Sequence, residues 1–168
     1  MSYADVTLAE FDLEMANTRK VLERVPDDKF AYRCHPKANT IGWNANHLAE
    51  IPGWVEGTLT QPGWEAEPED GPKYAMPSLT TTAAVLALFD KNVKAARAAI
   101  AAVNESELDV PWSLTIKGVP LFTLPRRQVI RSFVINHLIH HRAHLLVYLK
   151  LNDIPVPGMY GPSSDDNG

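Results

Sequence analysis

The chain has 168 residues, with 16 Lys and Arg against 20 Asp and Glu and a formal net charge of −4. That length suits one domain, 1–168, able to bury a core without staples, and the acidic balance with no basic cluster argues against nucleic acid as a partner. No apolar run is long enough to span a bilayer, so no membrane association is expected.

The opening Met1-Ser2-Tyr3-Ala4-Asp5 lacks a basic start followed by an apolar run, so a secretory signal is not expected. From 5 to about 25 the spacing of Leu8, Phe11, Met15, Thr18, Leu22 and Val25 predicts a first helix with one inward stripe. Glu10, Glu14, Lys20 and Glu23 are left to face water. Pro26-Asp27 ends it, and 32–40 reads as a connection. The only cysteine, Cys34, lies there. It cannot form an intrachain disulfide, which fits a reducing, cytoplasmic location, and it reads as a half-buried structural thiol rather than a nucleophile.

Thr40 caps a second helix that runs to about Leu59 and bends at Pro52-Gly53. His47 falls on a line with Asn44, Ile51, Trp54 and Thr58. Alone it reads as a capped or surface histidine; if three donors are sought, it is the best-placed one outside the last helix. Residues 60–79 carry Pro, Gly and acids without periodicity, and read as a long irregular crossover that covers a site. Trp64 either packs over the bundle end or lines an entrance, and Glu65, Glu67, Glu69 and Asp70 read as a solvated run with a ligand as the alternative. A third helix spans about 81–103, with Asn92 on its inner side and able to bond a buried partner. Residues 112–120 could form a small extended arm or hairpin. Thr123 near the cap and Pro125 in the first turn then open a fourth helix, to about Leu151. The tail, about 152–168, folds back along the bundle and ends in a loose polar stretch from Ser163. Four long periodic segments predict an all-α four-helix bundle. Its long crossover between helices two and three leaves the connectivity open.

The fourth helix holds the chemistry. Asn136-His137-Leu138-Ile139-His140-His141-Arg142-Ala143-His144 packs four of the six histidines into nine residues. At about 100° per residue His137, His141 and His144 share a face with Ile130, Phe133, Tyr148 and Leu151, with His140 towards its edge. Imidazoles one turn apart on an inward stripe can converge on a metal ion. Ordinary hydrogen-bonded histidines are the alternative.

Thr40-Ile41-Gly42-Trp43 leading to His47-Leu48, the segment Asn136 to Arg142, and the closing Ile154-Pro155-Val156-Pro157-Gly158-Met159-Tyr160-Gly161-Pro162 together resemble the DinB-like superfamily, which includes bacillithiol and mycothiol transferases. The resemblance implies a four-helix bundle, commonly a homodimer, with a divalent metal held by one histidine of helix two and two of helix four. Carried onto this chain, the metal ligands are His47, His137 and His141. His140 would be a supporting or surface residue, and Arg142 structural or anion-contacting. Leu138 stands where the fullest motif often has an acid, and His144 where it often has glutamine, so acid-linked chemistry loses support. His144 is left to hydrogen-bond in the core, shape the pocket or approach the metal.

Imidazole donors suit zinc or nickel, and the cysteine count excludes an all-thiolate site. The leading expectation is a metal-dependent thiol transferase, in which a low-molecular-weight thiol cosubstrate is activated to attack a small electrophilic substrate. No residue can be assigned as catalytic. The alternatives are a noncatalytic, stress-associated metal-binding protein and a metal-dependent hydrolase, for which Glu50, three residues after His47, is a weak candidate base.

Overall fold

The computed structural model describes residues 2–166, so Met1 of the N-terminal reading and the last two residues of the tail lie outside it. Helix α1 (Tyr3–Leu22) starts at a capping box. Ser2 Oγ accepts from the Asp5 amide at 3.1 Å, and Asp5 Oδ2 accepts from the Ser2 amide at 2.9 Å. Phe11, Met15, Thr18 and Leu22 are buried as the spacing predicts, but Glu14, expected in water, is buried too.

Helix α2 (Ile41–Glu50) is capped by Thr40, whose Oγ1 accepts from the Trp43 amide at 3.0 Å. A single tight turn at Ile51–Gly53 separates it from α3 (Trp54–Thr60). Pro52 has no N–H for the helical ladder, so the expected bend falls there. Asn92 of α4 (Thr82–Ala102) donates to the Ala49 carbonyl at 2.9 Å, beside this break.

The last rod is continuous but not uniformly α-helical: α5 (Arg126–Val129), a π-helical segment over Ile130–Asn136, then α6 (His137–Lys150). The wider turn changes the phase of the face that enters the core. Ile130, Val134, Leu138, Arg142, Leu145 and Leu149 form the buried stripe; Leu151, placed on it by uniform helical counting, is 56% exposed. Rods α1 and α2 each pack against both α4 and α6, so the order around the bundle is α1, α4, α2, α6.

The all-α expectation is overturned. A three-stranded mixed sheet, order β1-β2-β3, stands beside the helices: β1 (Gly63–Glu65) runs parallel to β2 (Pro111–Ile116), which pairs antiparallel with β3 (Val119–Pro125). The hairpin turn places Lys117 and Gly118 at φ 51° and 73°, the left-handed pair that matches strand twist. Glu65 caps it, accepting from the Lys117 amide at 2.9 Å and the Gly118 amide at 2.8 Å. Strand β1 lies inside the crossover read as irregular. Its three residues show no alternation of their own and acquire strand form from the edge of β2. A side chain at Gly63 would sit 2.5 Å from the Ser113 carbonyl oxygen. Thr123, placed near a helix cap by the sequence, lies in β3 with its hydroxyl 2.7 Å from that of Ser113.

The main core, centred on Phe11, Leu22, Leu48, Ile51, Phe89 and Leu138, lies between the rods. A second cluster, Trp112, Leu114 and Val129 with Trp64, Phe122 and Phe133 against it, joins the sheet to the π segment. The tail is anchored rather than loose over its described residues: Asp165 bonds Lys150 and accepts from the Val156 amide at 2.8 Å. Among the described residues no helix is long and apolar enough to cross a membrane.

Candidate metal centre

His47 lies in the last turn of α2, just before the Pro52 break, and His137 and His141 lie one turn apart at the start of α6. The fold brings all three together through their Nε2 atoms. His137 Nε2 lies 2.9 Å from His141 Nε2 and 3.3 Å from His47 Nε2. Their location follows from the π segment: the buried stripe of α6 is taken by Leu138, Arg142 and Leu145, while His137 and His141 flank it, half-buried, and face α2. The histidines therefore border the apolar stripe instead of interrupting it.

Three histidine nitrogens so close together lack enough hydrogens to satisfy one another. His47 Nδ1 lies 2.7 Å from Glu50 Oε1, so the ring donates there and its Nε2 presents a lone pair. His137 Nε2 can then donate to one neighbour only. A single cation satisfies all three lone pairs. Four-coordinate donors at about 2.0–2.1 Å from an ion stand roughly 3.3 Å apart, close to the separations present. The group therefore fits a metal ion, and His47, His137 and His141 could hold one.

The surroundings support the neutral, ligating form of the rings. Burial, then the neighbouring His47, pushes His137 down to about 4, and burial with His47 and His137 pushes His141 down to about 3. Glu50 is buried and its Oε1 also accepts from the Tyr74 hydroxyl at 2.5 Å. Burial and this carboxylate push the Tyr74 phenol well above its ordinary value. The Nδ1 atoms of His137 and His141 are buried without a hydrogen-bond partner among the described residues, so only His47 has the carboxylate support common around metal-bound histidines. Trp43 packs on His47 and His141, with ring centroids 4.8 and 5.5 Å away, and Trp54 and Phe133 pack on His137 at 5.5 and 5.4 Å.

His144 departs from the sequence reading: it is exposed, and so is His140, with their ring centroids 4.3 Å apart. With His141 they form a second group close enough to hold an ion, but on the outside of the helix. None of the acids from Glu65 to Asp70 joins either group. Cys34 is exposed rather than half-buried. Arg142 is structural: fully buried, it donates to Glu14 Oε2 at 2.6 Å, the Glu14 carbonyl at 3.0 Å, Thr18 Oγ1 at 3.2 Å and the Tyr160 hydroxyl at 2.6 Å.

Tyr74 escaped the sequence reading, and Trp43, quoted there as part of the helix-two motif, was given no place beside the histidines. Tyr74 comes from the crossover, where no local pattern points to α2; Trp43, one turn before His47, was legible by spacing.

Helical rods around a three-histidine cluster, with a small sheet at the side, define a helical-bundle protein with a candidate metal centre. A family model of the DinB superfamily matches residues 10–145, and the chain belongs to that superfamily. Two solved structures share the fold. A DinB-like protein from Bacillus cereus is 22% identical with a TM-score of 0.69, the match covering 91% of this chain and 95% of that one. A DinB-like protein from Bacillus subtilis, YjoA, is 13% identical with a TM-score of 0.66, covering 90% and 96%. No curated protein matches the chain.

Proposed function

We propose that the protein binds one divalent metal ion, zinc or nickel, through His47, His137 and His141, and uses it to activate a low-molecular-weight thiol for transfer to a small electrophile. The observation that carries the metal reading is the convergence of three Nε2 atoms whose lone pairs have no other common partner. A bound ion supplies Lewis acidity that lowers the pKa of the thiol. Glu50 holds His47 in the tautomer with its Nε2 lone pair inward, and Tyr74 steadies that carboxylate. Trp43, Trp54 and Phe133 pack against the histidine rings and form an apolar approach suited to an uncharged electrophile.

The thiol reading goes ahead of hydrolysis because Glu50, the candidate base, is committed elsewhere. Its Oε1 accepts two hydrogen bonds and meets His47 at Nδ1, on the opposite edge of the ring from the converging nitrogens.

The test is metal content of untagged protein purified without chelating resin, for wild type, His47→Ala and His141→Ala, followed by titration of glutathione and cysteine into the cobalt-loaded protein. One ion per chain, lost in both variants, and a thiolate-to-cobalt absorption band support the proposal. Metal retained in folded variants sinks the ligand set. A wild-type ion that gives no thiol band leaves a noncatalytic metal-binding protein.

A further inference from the structure

The histidines of α6 do not end at the inner cluster. His140 and His144, one turn apart and exposed, form with His141 a second three-imidazole group close enough to hold an ion. The ring centroids of His140 and His144 are 4.3 Å apart, and His141 lies 5.0 Å from the first and 5.8 Å from the second. The corresponding separations in the inner group are 4.5, 4.7 and 5.0 Å. Rings that share one tetrahedral ion at about 2.0–2.1 Å stand with centres about 5 Å apart, so small side-chain rotations bring the outer group to that spacing.

Two features set this pair apart from ordinary surface histidines. The first is that His141 belongs to both groups, with its Nε2 2.9 Å from that of His137. The second is a gradient of burial along the five rings. His140 and His144 are exposed, His141 and His137 are half-buried, and His47 is buried. Trp43, Trp54 and Phe133 pack against the inner rings, so a hydrated cation must give up water to sit among them. Removing that water at one stroke is costly for an ion, whereas replacing it by imidazole one position at a time is not. The five rings offer such a series of donors from the surface inward.

We propose that His140 and His144 form an outer metal site that captures a divalent cation of the zinc, nickel and copper class from solution and passes it through His141 to the inner cluster. The donors set the class. Among the described residues no carboxylate joins the outer group, so it suits cations that favour imidazole and not the oxygen-seeking calcium and magnesium. In the captured state two imidazoles hold the ion and water fills its remaining positions. Passage is ligand exchange alone: His141 replaces a water, then His140 and His144 are released as His137 and His47 bind. Neutral imidazoles take part throughout, and no electron or covalent bond is transferred. Capture stands on the outer pair by itself, while passage rests on the inner ligand set proposed above.

The test uses full-length, untagged, metal-free protein, with zinc and cobalt ions as the probes. Calorimetric titration of zinc into wild type should show one tight and one weaker ion per chain. The double variant His140→Gln, His144→Gln should lose the weaker event and keep the affinity of the tight one. The variant His47→Ala, His137→Gln should do the reverse, which reads the outer pair independently of the inner ligand set. No second event in wild type, or a second event that survives loss of His140 and His144, overturns the outer site; a tight event that survives loss of His47 and His137 overturns the inner ligand set instead. Passage is read by stopped-flow filling of the inner site with micromolar cobalt. An ion held at the outer pair has an effective concentration of about millimolar at the inner ligands, so filling should slow at least about tenfold in His140→Gln, His144→Gln. A route changes rates and not the equilibrium, so release of cobalt to a chelator should slow by the same factor. Unchanged rates overturn the passage, and so does a weakened inner affinity, which would make the pair a support of the inner ligands.

Discussion

Glu50 offers the sharpest test of how the proposed metal centre is held. It is buried at 8% exposure, with Oε1 at 2.7 Å from His47 Nδ1. Replacing it with alanine leaves the buried Nδ1–H without an acceptor and frees the ring to turn or change tautomer. Loss of such a supporting partner typically costs 10–100-fold in metal affinity, about 1.4–2.7 kcal/mol. Alanine also opens space beside Tyr74, so Glu50→Ala should fall near the upper end of that range. Glu50→Gln keeps an oxygen acceptor but loses the charge, and charge-assisted bonds are roughly twice as strong as neutral ones. It should therefore lose about tenfold. Tyr74→Phe removes only one of the two bonds to Oε1 and should lose less than either. The assay is competition for zinc against a chromophoric chelator at fixed pH, with circular dichroism and Tm confirming the fold. Affinities of Glu50→Ala and Glu50→Gln both within about twofold of wild type would refute the orienting role.

Three further outcomes follow from the same geometry. Arg142→Met should destabilise the protein by about 3–5 kcal/mol in urea unfolding because it leaves the buried Glu14 without a counter-charge, with only the Tyr160 hydroxyl donating to it, whereas Arg142→Met combined with Glu14→Leu should recover most of that loss; no recovery would refute the pairing argument. In metal-free protein, unfolded histidines protonate near 6.5 while folded His137 and His141 resist protonation down to about 4 and about 3, so stability should fall as pH drops below about 6.5 and this contribution should level off below those values. Urea midpoints in chelator from pH 7.5 to 5 should decline less steeply for the double variant His137→Gln, His141→Gln than for wild type, and an unchanged slope would remove the histidines as the cause. The homodimer implied by the family resemblance predicts twice the chain mass in sedimentation equilibrium, with Val6 and Leu13 on α1 and Val147 and Leu151 around the end of α6 as exposed apolar residues available for its interface; a monomer at micromolar concentration refutes it.

The sequence by itself determined the helices, because the spacing of residues such as Phe11, Met15 and Leu22 is a property of one segment read alone. It determined the break at Pro52, which follows from a missing N–H, and it offered a small extended arm or hairpin over 112–120, where β2 and β3 form. The closely spaced histidines also stood out, and the resemblance gave His47 as their companion. Tertiary structure decided what depends on contacts distant in sequence. Strand β1 exists because β2 templates it, so Gly63-Trp64-Glu65 could not declare itself within the crossover. Glu14 looked like a surface acid because its partner, Arg142, is 128 residues away. The phase of α6 depended on the π segment, whose wider turn moved His137, His141 and His144 together off the buried stripe; His144, two turns further along the same face than His137, is exposed. Tyr74 reached Glu50 only after the crossover had folded back. Periodicity reports which face of a segment is apolar; the position of that face against another segment is fixed by packing the whole chain.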